Sequence, residues 1–425
     1  MDILEELIEI VKGDSQRALG CTEPVAVGYC ANVCGSLIDD KDKIKNVEVI
    51  VSKNIYKNGK SVYIPVVQEK GLMLAASLGI FADKVEDGFM VFSKINKEII
   101  DKAEKFIEEG KITLREDNTP NDVYVETIIE TDKDKGTVII CGGHTKLQKV
   151  IKNGKVLYEQ SNEKSEKENS FNLKDLSFQK LREIVENAPE GTFDFTLEGI
   201  EINKKAAIAG LDKENSLGST LKRLRDENIL PKNFITEARI MTAAAADMRM
   251  SGQNYEIMTS GGSGNQGIGV ILPIEIVANY EDVSKDKLAK ALFFGHILNR
   301  YVKEYSGKLS GMCGCAIGAA VGATCSIAWL LGGTDEMIAG AATNVYANLT
   351  GMVCDGAKES CSMKLSTSAE EAIISAYLAV NGMISDKSTG VVGKTIEETI
   401  SNIGKLSRTA FKNVDDVMLE IIKAN

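Results

Sequence analysis

The sequence predicts a mixed fold, a large all-α domain joined to a smaller α+β domain, and three observations carry that expectation. Between about residues 41 and 165, Val- and Ile-rich strand patterns alternate with short helical ones. After about residue 172 nearly every segment reads as helix, with recurring helix-start signals. The polar, aperiodic stretch "QSNEKSEKENSFN" at 160–172 separates the two and reads as a linker or exposed loop. The expected division is 1–40 with 170–425 as the helical domain and 41–169 as the α+β domain.

In chain order, residues 1–40 read as helical, with Ile3, Leu4, Leu7, Ile8 and Val11 at helix spacing. Forty residues bury no core alone, so they are expected to join the helical domain. "NVEVIVSKNIYKNGKSVYIPVV" then alternates around Asn58-Gly59, a hairpin signal. "KGLMLAASLGIFA" and "NKEIIDKAEKFIEEG" look helical, and "DVYVETIIETDKDKGTVIICGG" returns to strands. In the helical part, Ser284, Thr334 and Thr395 stand at helix entrances, the last with Glu398 as a capping box. No internal repeat is visible.

Composition narrows the function. A chain of 425 residues with 44% apolar and 26% charged side chains has room for two or three domains and is not disordered over most of its length. A net charge of -11 offers no basic face to a nucleic-acid backbone or an anionic membrane surface, so neither is expected as a partner. "MDILEELIEIVKGDSQ" is an acidic amphipathic pattern without the features of a secretory signal, and a cytoplasmic location is expected. Nine cysteines in such a compartment stay reduced and point to metal binding or catalysis rather than a disulfide scaffold. A homo-oligomer is compatible with the chain.

The uncharged run 309–334, "LSGMCGCAIGAAVGATCSIAWLLGGT", is long enough to raise the question of a membrane span. Its Gly, Ala, Ser and Cys content, with few large apolar residues, argues instead for an internal helix that admits close neighbours. Of the cysteines, Cys30, Cys34 and Cys325 lie on apolar helical patterns and are expected to pack as small apolar groups. Cys354 and Cys361 sit in "CDGAKESC", among glycine and charge, with Cys313 and Cys315 about forty residues upstream. That spacing is looser than the C-x2-C pairs of many zinc and iron-sulfur sites.

Four segments, "GDSQRALGCTEP" (13–24), "SGGSGNQG" (260–267), "GMCGCAIGAA" (311–320) and "CDGAKESCSMK" (354–364), together resemble the L-cysteine desulfidase family, relatives of the α-type iron-sulfur L-serine dehydratases. The resemblance covers nearly the whole chain. It implies a [4Fe-4S] cluster held by three cysteines, its fourth iron free to bind substrate. On this chain two ligands would be Cys354 and Cys361; the third would be Cys315, which the dehydratase-like "GCAIGAAVGATCS" favours, or Cys313. An iron without a thiolate is an open position that acts as a Lewis acid on a leaving group. The implied reaction is β-elimination of L-cysteine to pyruvate, ammonia and sulfide.

Such an elimination needs a base, a carboxylate clamp and an ammonium partner. Cys21, at a helix boundary in "GCTEP", is the expected base if its thiol is acidic, and Glu23 is the rival. The Gly-rich turn at Ser260, Gly261, Gly262, Ser263, Asn265 and Gln266 leads into an apolar helix and suits a carboxylate. His144, in "CGGHTKL", is expected to touch substrate across the domain interface, whereas His296 reads as a packed core residue. Arg17 and Lys358 read as solvated charges. Three alternatives stand beside this reading: an L-serine dehydratase of the same type, a pyridoxal-phosphate lyase whose phosphate cup would be "SGGSGNQG", and a non-catalytic iron-sulfur amino-acid sensor.

Overall fold

The computed structural model describes residues 2–117, 119, 121–160 and 171–424. Most of the expected linker, residues 161–170, lies outside the described residues. The chain opens with α1 (Ile3–Asp14), which buries Leu7 and Val11. Strand β1 (Arg17–Leu19) leads to α2 (Thr22–Gly35), buried over its whole length. A helix covered on every side needs no polar face, which is why its sequence shows no amphipathic stripe. Strand β2 (Asn46–Ser52) runs directly into the short helix α3 (Lys53–Gly59), followed by α4 (Leu72–Phe81) and α5 (Lys97–Glu108).

Strands β3 (Ile112–Asp117), β4 (Tyr124–Glu130), β5 (Lys135–Cys141), β6 (Leu147–Lys152) and β7 (Lys155–Glu159) complete a six-stranded sheet in the order β3-β2-β4-β5-β6-β7. β2 and β3 are parallel and the other pairs antiparallel. β4 and β5 alternate buried and half-buried residues, the period of a sheet covered on one face. The cover is α2 and α4.

The hairpin expected at Asn58-Gly59 does not form: the segment is α3. A two-residue turn of that kind needs positive φ at both positions, and neither residue has it. β2 is already flanked by β3 and β4, so no free edge remains for a returning strand.

Beyond residue 171 the structure is helical, as expected, through α6 (Phe178–Asn187), α7 (Glu198–Leu211), α8 (Leu217–Asp226) and α9 (Phe234–Met250). A short strand β8 (Glu256–Met258) then pairs antiparallel with β1. There follow α10 (Gly264–Tyr280), α11 (Lys285–Ser306), a π-helical turn at Cys315–Ala319, α12 (Ala320–Leu330), α13 (Asp335–Leu349), α14 (Cys361–Val380), α15 (Ile396–Arg408) and α16 (Ala410–Ala424). Ser284, Thr334 and Thr395 cap α11, α13 and α15, each accepting a backbone N–H at 3.2 to 3.3 Å. Glu398 reaches back to the N–H of Lys394, one residue short of the capping-box position. The Gly/Ala-rich α12 is almost wholly buried, and among the described residues no helix is long and apolar enough to cross a membrane.

Two apolar cores result. One gathers the helices after residue 171 together with Leu7 and Val11 of α1; the other gathers the sheet, α4 and Val25 to Cys34 of α2. Residues 1–40, grouped with the helical domain from sequence, thus divide between the cores. The apolar circumference of α2 is covered by the sheet face and α4, so it packs there. The chain passes from one core to the other near Gly20 and Cys21, and the site forms at that seam.

Candidate active site

A cavity of about 120 Å³ opens at the seam, lined from both cores. That is well below the roughly 300 Å³ and upward of sites for larger organic ligands.

The sheet side contributes a carboxylate. Cys21 is the residue before α2, and Glu23 stands in the first turn, where a negative side chain is favoured by the helix dipole. Glu23 is 5% exposed and accepts three hydrogen bonds, from Cys21 Sγ at 3.1 Å, Thr22 Oγ1 at 3.2 Å and Asn58 Nδ2 at 3.0 Å. Burial by itself would raise its pKa; facing His144, the bonds from Cys21 and Asn58, and the Arg249 charge overcome this and hold it below the ordinary value. Burial, reinforced by the Glu23 charge, pushes the Cys21 thiol up. Cys21 is therefore a protonated thiol that donates to Glu23, not the acidic thiol its expected role called for, and at neutral pH the carboxylate is the ionised group of the two.

His144, in the turn after β5, is 7% exposed, and its Nε2 has no hydrogen-bond partner. Burial pulls it down to about 4 despite the nearby Glu23. It is neutral at pH 7, so the full charge facing Glu23 at that pH is Arg249. His144 is not among the residues lining the cavity.

The helical side contributes cations and thiols. Arg249, near the end of α9, is 3% exposed; its Nη1 donates to Asn265 Oδ1 at 2.9 Å, while Nε and Nη2 have no partner. Gly264 makes this possible, because a Cβ there would lie 2.3 Å from Arg249 Nε. Ser263, Asn265 and Gln266 line the cavity at the start of α10, where Ser263 makes no side-chain capping bond and the buried Gln266 Oε1 has no partner. Ser260 points the other way: its Oγ meets His296 Nδ1 at 2.9 Å and accepts from Asn299 Nδ2 at 3.0 Å. Gly261 and Gly262 do not line the cavity, though the Gly261 carbonyl accepts from Lys303 Nζ at 2.5 Å. Lys303, on α11, does line it, and burial pulls its ammonium down to about 8.

Cys313, Cys315, Cys354 and Cys361 all face the same cavity. A backbone bridge between Met312 and Val353 joins their segments, with Cys313 N–H donating to Met352 O and Cys354 N–H to Gly311 O, both at 2.8 Å. Cys315 begins the π-helical turn, and Cys361 begins α14. A hydrogen bond from Cys315 brings the Cys313 thiol down to about 7 and, with burial, raises Cys315. Burial raises Cys354, and raises Cys361 to about 11.

The remaining residues lie elsewhere. Cys30, Cys34 and Cys325 are fully buried, each bonded through Sγ to a backbone carbonyl. His296 is buried as expected, but its partners are Ser15 and Ser260 rather than apolar groups alone. Arg17 pairs with Glu198 and Glu256 at the surface, and Lys358 with Asp355. Among the cavity residues missed from sequence are Asn58, hidden in the hairpin signal; Lys303, one charge among several in "NRYVKEY"; and Arg249. The lone cation in the small, apolar run "TAAAADMRM" was the signal for Arg249.

Residues 89–420 match the family described as serine dehydratase alpha chain. A UPF0597 protein of Clostridium botulinum (strain Loch Maree / Type A3) is 48% identical over 424 residues, covering 99% of this chain and 97% of that one. UPF0597 proteins of Alkaliphilus oremlandii and Clostridium tetani are 39% and 35% identical, covering 100% and 98% of this chain and 99% and 97% of theirs. The chain therefore belongs to the UPF0597 family and carries the serine dehydratase alpha chain domain.

Proposed function

We propose that the chain is an iron-sulfur-dependent lyase that eliminates sulfide from L-cysteine, giving pyruvate, ammonia and sulfide. The observation that carries this reading is the convergence of Cys313, Cys315, Cys354 and Cys361 on a small cavity that also holds a partly unpaired guanidinium and a buried carboxylate. Membership of a serine dehydratase alpha chain family supports the broader class, an amino-acid dehydratase or lyase.

Four cysteine thiols bordering one small cavity are the donor type that an iron-sulfur cluster takes. Cys354, Cys361 and either Cys315 or Cys313 would hold a [4Fe-4S] cluster, whose open iron would supply a Lewis acid for the leaving sulfur.

The chain's own residues do the rest. Arg249 Nε and Nη2, with the first-turn N–H groups of α10, bind the substrate carboxylate. Gln266 Oε1 accepts from the ammonium group. Glu23 takes the α-proton, and Cys21 and Asn58 hold its carboxylate in place. Loss of that proton and of hydrosulfide leaves 2-aminoacrylate, which tautomerises to the imine and hydrolyses to pyruvate and ammonia. Burial of these groups keeps water from competing for the donors.

L-serine is the second reading of the same site, favoured by the family match. The test is anaerobic purification, visible absorption and iron content, then sulfide and pyruvate assays with L-cysteine and with L-serine. Brown protein that releases sulfide supports the proposal, and pyruvate from serine alone replaces it with the dehydratase. A colourless, inactive chain, a cluster without turnover, or an aldimine spectrum sinks it.

A further inference from the structure

Helix α3, in the segment that reads from sequence as a hairpin, holds a buried charge that the proposed reaction does not use. Lys57 is 1% exposed and forms an ion pair with Asp415 of α16, itself 8% exposed. A buried ammonium is tolerated only with such a partner. α16 buries Asp415 and Leu419, with Phe411, Val414, Met418 and Ile422 half-buried on the same face, so the ion pair sits within the apolar face by which the helix docks. Flanking contacts follow the same line: Lys53 with Asp416, Lys60 Nζ with the Ile422 carbonyl at 2.5 Å, and Lys423 with Glu116 at 2.6 Å.

The next residue, Asn58, divides its amide between two groups of the cavity. Its Nδ2 donates to Glu23 Oε1 at 3.0 Å, and its Oδ1 accepts from Cys354 Sγ at 3.8 Å. Glu23 lies on the sheet side and Cys354 on the helical side, so one side chain spans the seam. The backbone of Lys57 is also set against the cysteine segment. Gly356, at φ +89°, lets that segment pass so close that a Cβ there would stand 2.6 Å from the Lys57 carbonyl oxygen.

We infer that Lys57 is a positioning residue: its ion pair with Asp415 fixes α3 and so aims Asn58 at Glu23 and Cys354. The inference rests on the reading of Glu23 and Cys354 as site residues, and its test does not depend on turnover. The full-length chain, freed of iron by a chelator under reducing conditions, is pulsed with iodoacetamide, and alkylation of Cys354 is followed by mass spectrometry against Cys141 in the sheet. In Asp415→Asn the Cys354 rate is expected to rise about tenfold, the factor that 1.4 kcal/mol of lost local closure gives, with Cys141 unchanged. Lys57→Arg keeps the pair and is expected to keep the rate. Asp416→Asn, which removes only the more exposed pair, is expected to change neither cysteine.

Should Asp415→Asn fail to fold, the double variant Lys57→Gln/Asp415→Asn removes both charges together, leaves neither uncompensated, and is read in the same way. A Cys354 rate unchanged in these folded variants overturns the inference, as does an equal rise in Asp416→Asn or a parallel rise at Cys141. In the anaerobic holoenzyme, Asp415→Asn is expected to lower kcat more than it raises KM. A chain without lyase activity would remove the functional proposal while leaving the alkylation result to decide this one.

Discussion

The sheet core and the helical wall of the seam keep their cysteines in opposite ways, and Cys325 of the helical core, bonded to the Ile338 carbonyl, sides with the sheet core. In the sheet core, Cys30 and Cys34 are fully buried thiols bonded to the carbonyls of Val138 and Thr127, fixed as packing groups. On the helical side of the seam, Cys313, Cys315, Cys354 and Cys361 border a cavity. The difference teaches that burial alone does not make a cysteine a packing group: Cys313 is buried too, at 8% exposure, but it borders a cavity rather than a strand. The same division runs through the titratable groups, with Glu23 and His144 from the sheet side and Arg249 and Lys303 from the helical side.

The largest effect expected from this contrast is on the thiols. Cys354→Ser and Cys361→Ser should lose iron and lower turnover by about 10⁴-fold, the several kcal/mol that a Lewis acid supplies, whereas Cys34→Ser should keep both iron and turnover. Iron analysis and sulfide assay decide it, and a Cys34 variant that loses iron breaks the comparison. Next, Glu23→Gln should lower kcat by about 10³-fold, the scale of a lost proton acceptor, with iron content unchanged. If Cys21→Ala costs as much and Glu23→Gln little, the thiol is the base after all.

The third concerns one histidine from each side. His144 and His296 are both pulled down to about 4 by burial, below the ordinary 6.5. Between those values the unfolded chain binds protons that the folded chain does not. The stability of the neutral rings is therefore full above about pH 6.5 and lost as pH falls toward 4, about 3 kcal/mol for each ring. Urea unfolding at pH 7.5 and pH 5 measures it, and His296→Gln should remove its share of the pH dependence. A wild-type midpoint that does not fall at pH 5 contradicts buried neutral rings. The smallest effect expected is on binding: Arg249→Met should raise KM for the amino acid by about 10²-fold while sparing the iron. An unchanged KM would move the carboxylate clamp to Lys303 or to the α10 N–H groups.

Much of the architecture was legible because periodicity is local. The strands of β4 and β5, the helices α4 and α5 and the caps of α11 and α13 follow from residues a few positions apart. Cys354 and Cys361 were legible as well, since both sit among glycines and charges instead of on an apolar stripe, whereas Cys313 and Cys315, in an uncharged run, were marked by the resemblance of 311–320. α3 was not, because Asn58-Gly59 favours a hairpin until β2 is seen to be flanked on both sides. Nor was Ser260, whose hydroxyl turns away from the cavity toward His296.

By itself the sequence determined the two kinds of structure, a mostly helical region and a mixed sheet region, since these depend on residue type and short-range spacing. Tertiary structure alone decided that α2 joins the sheet, that Arg249 and Lys303 turn inward, and that Asn58 reaches both Glu23 and Cys354. Those are contacts between residues tens to hundreds of positions apart, and which buried polar group finds which partner is settled only when the two cores close on each other.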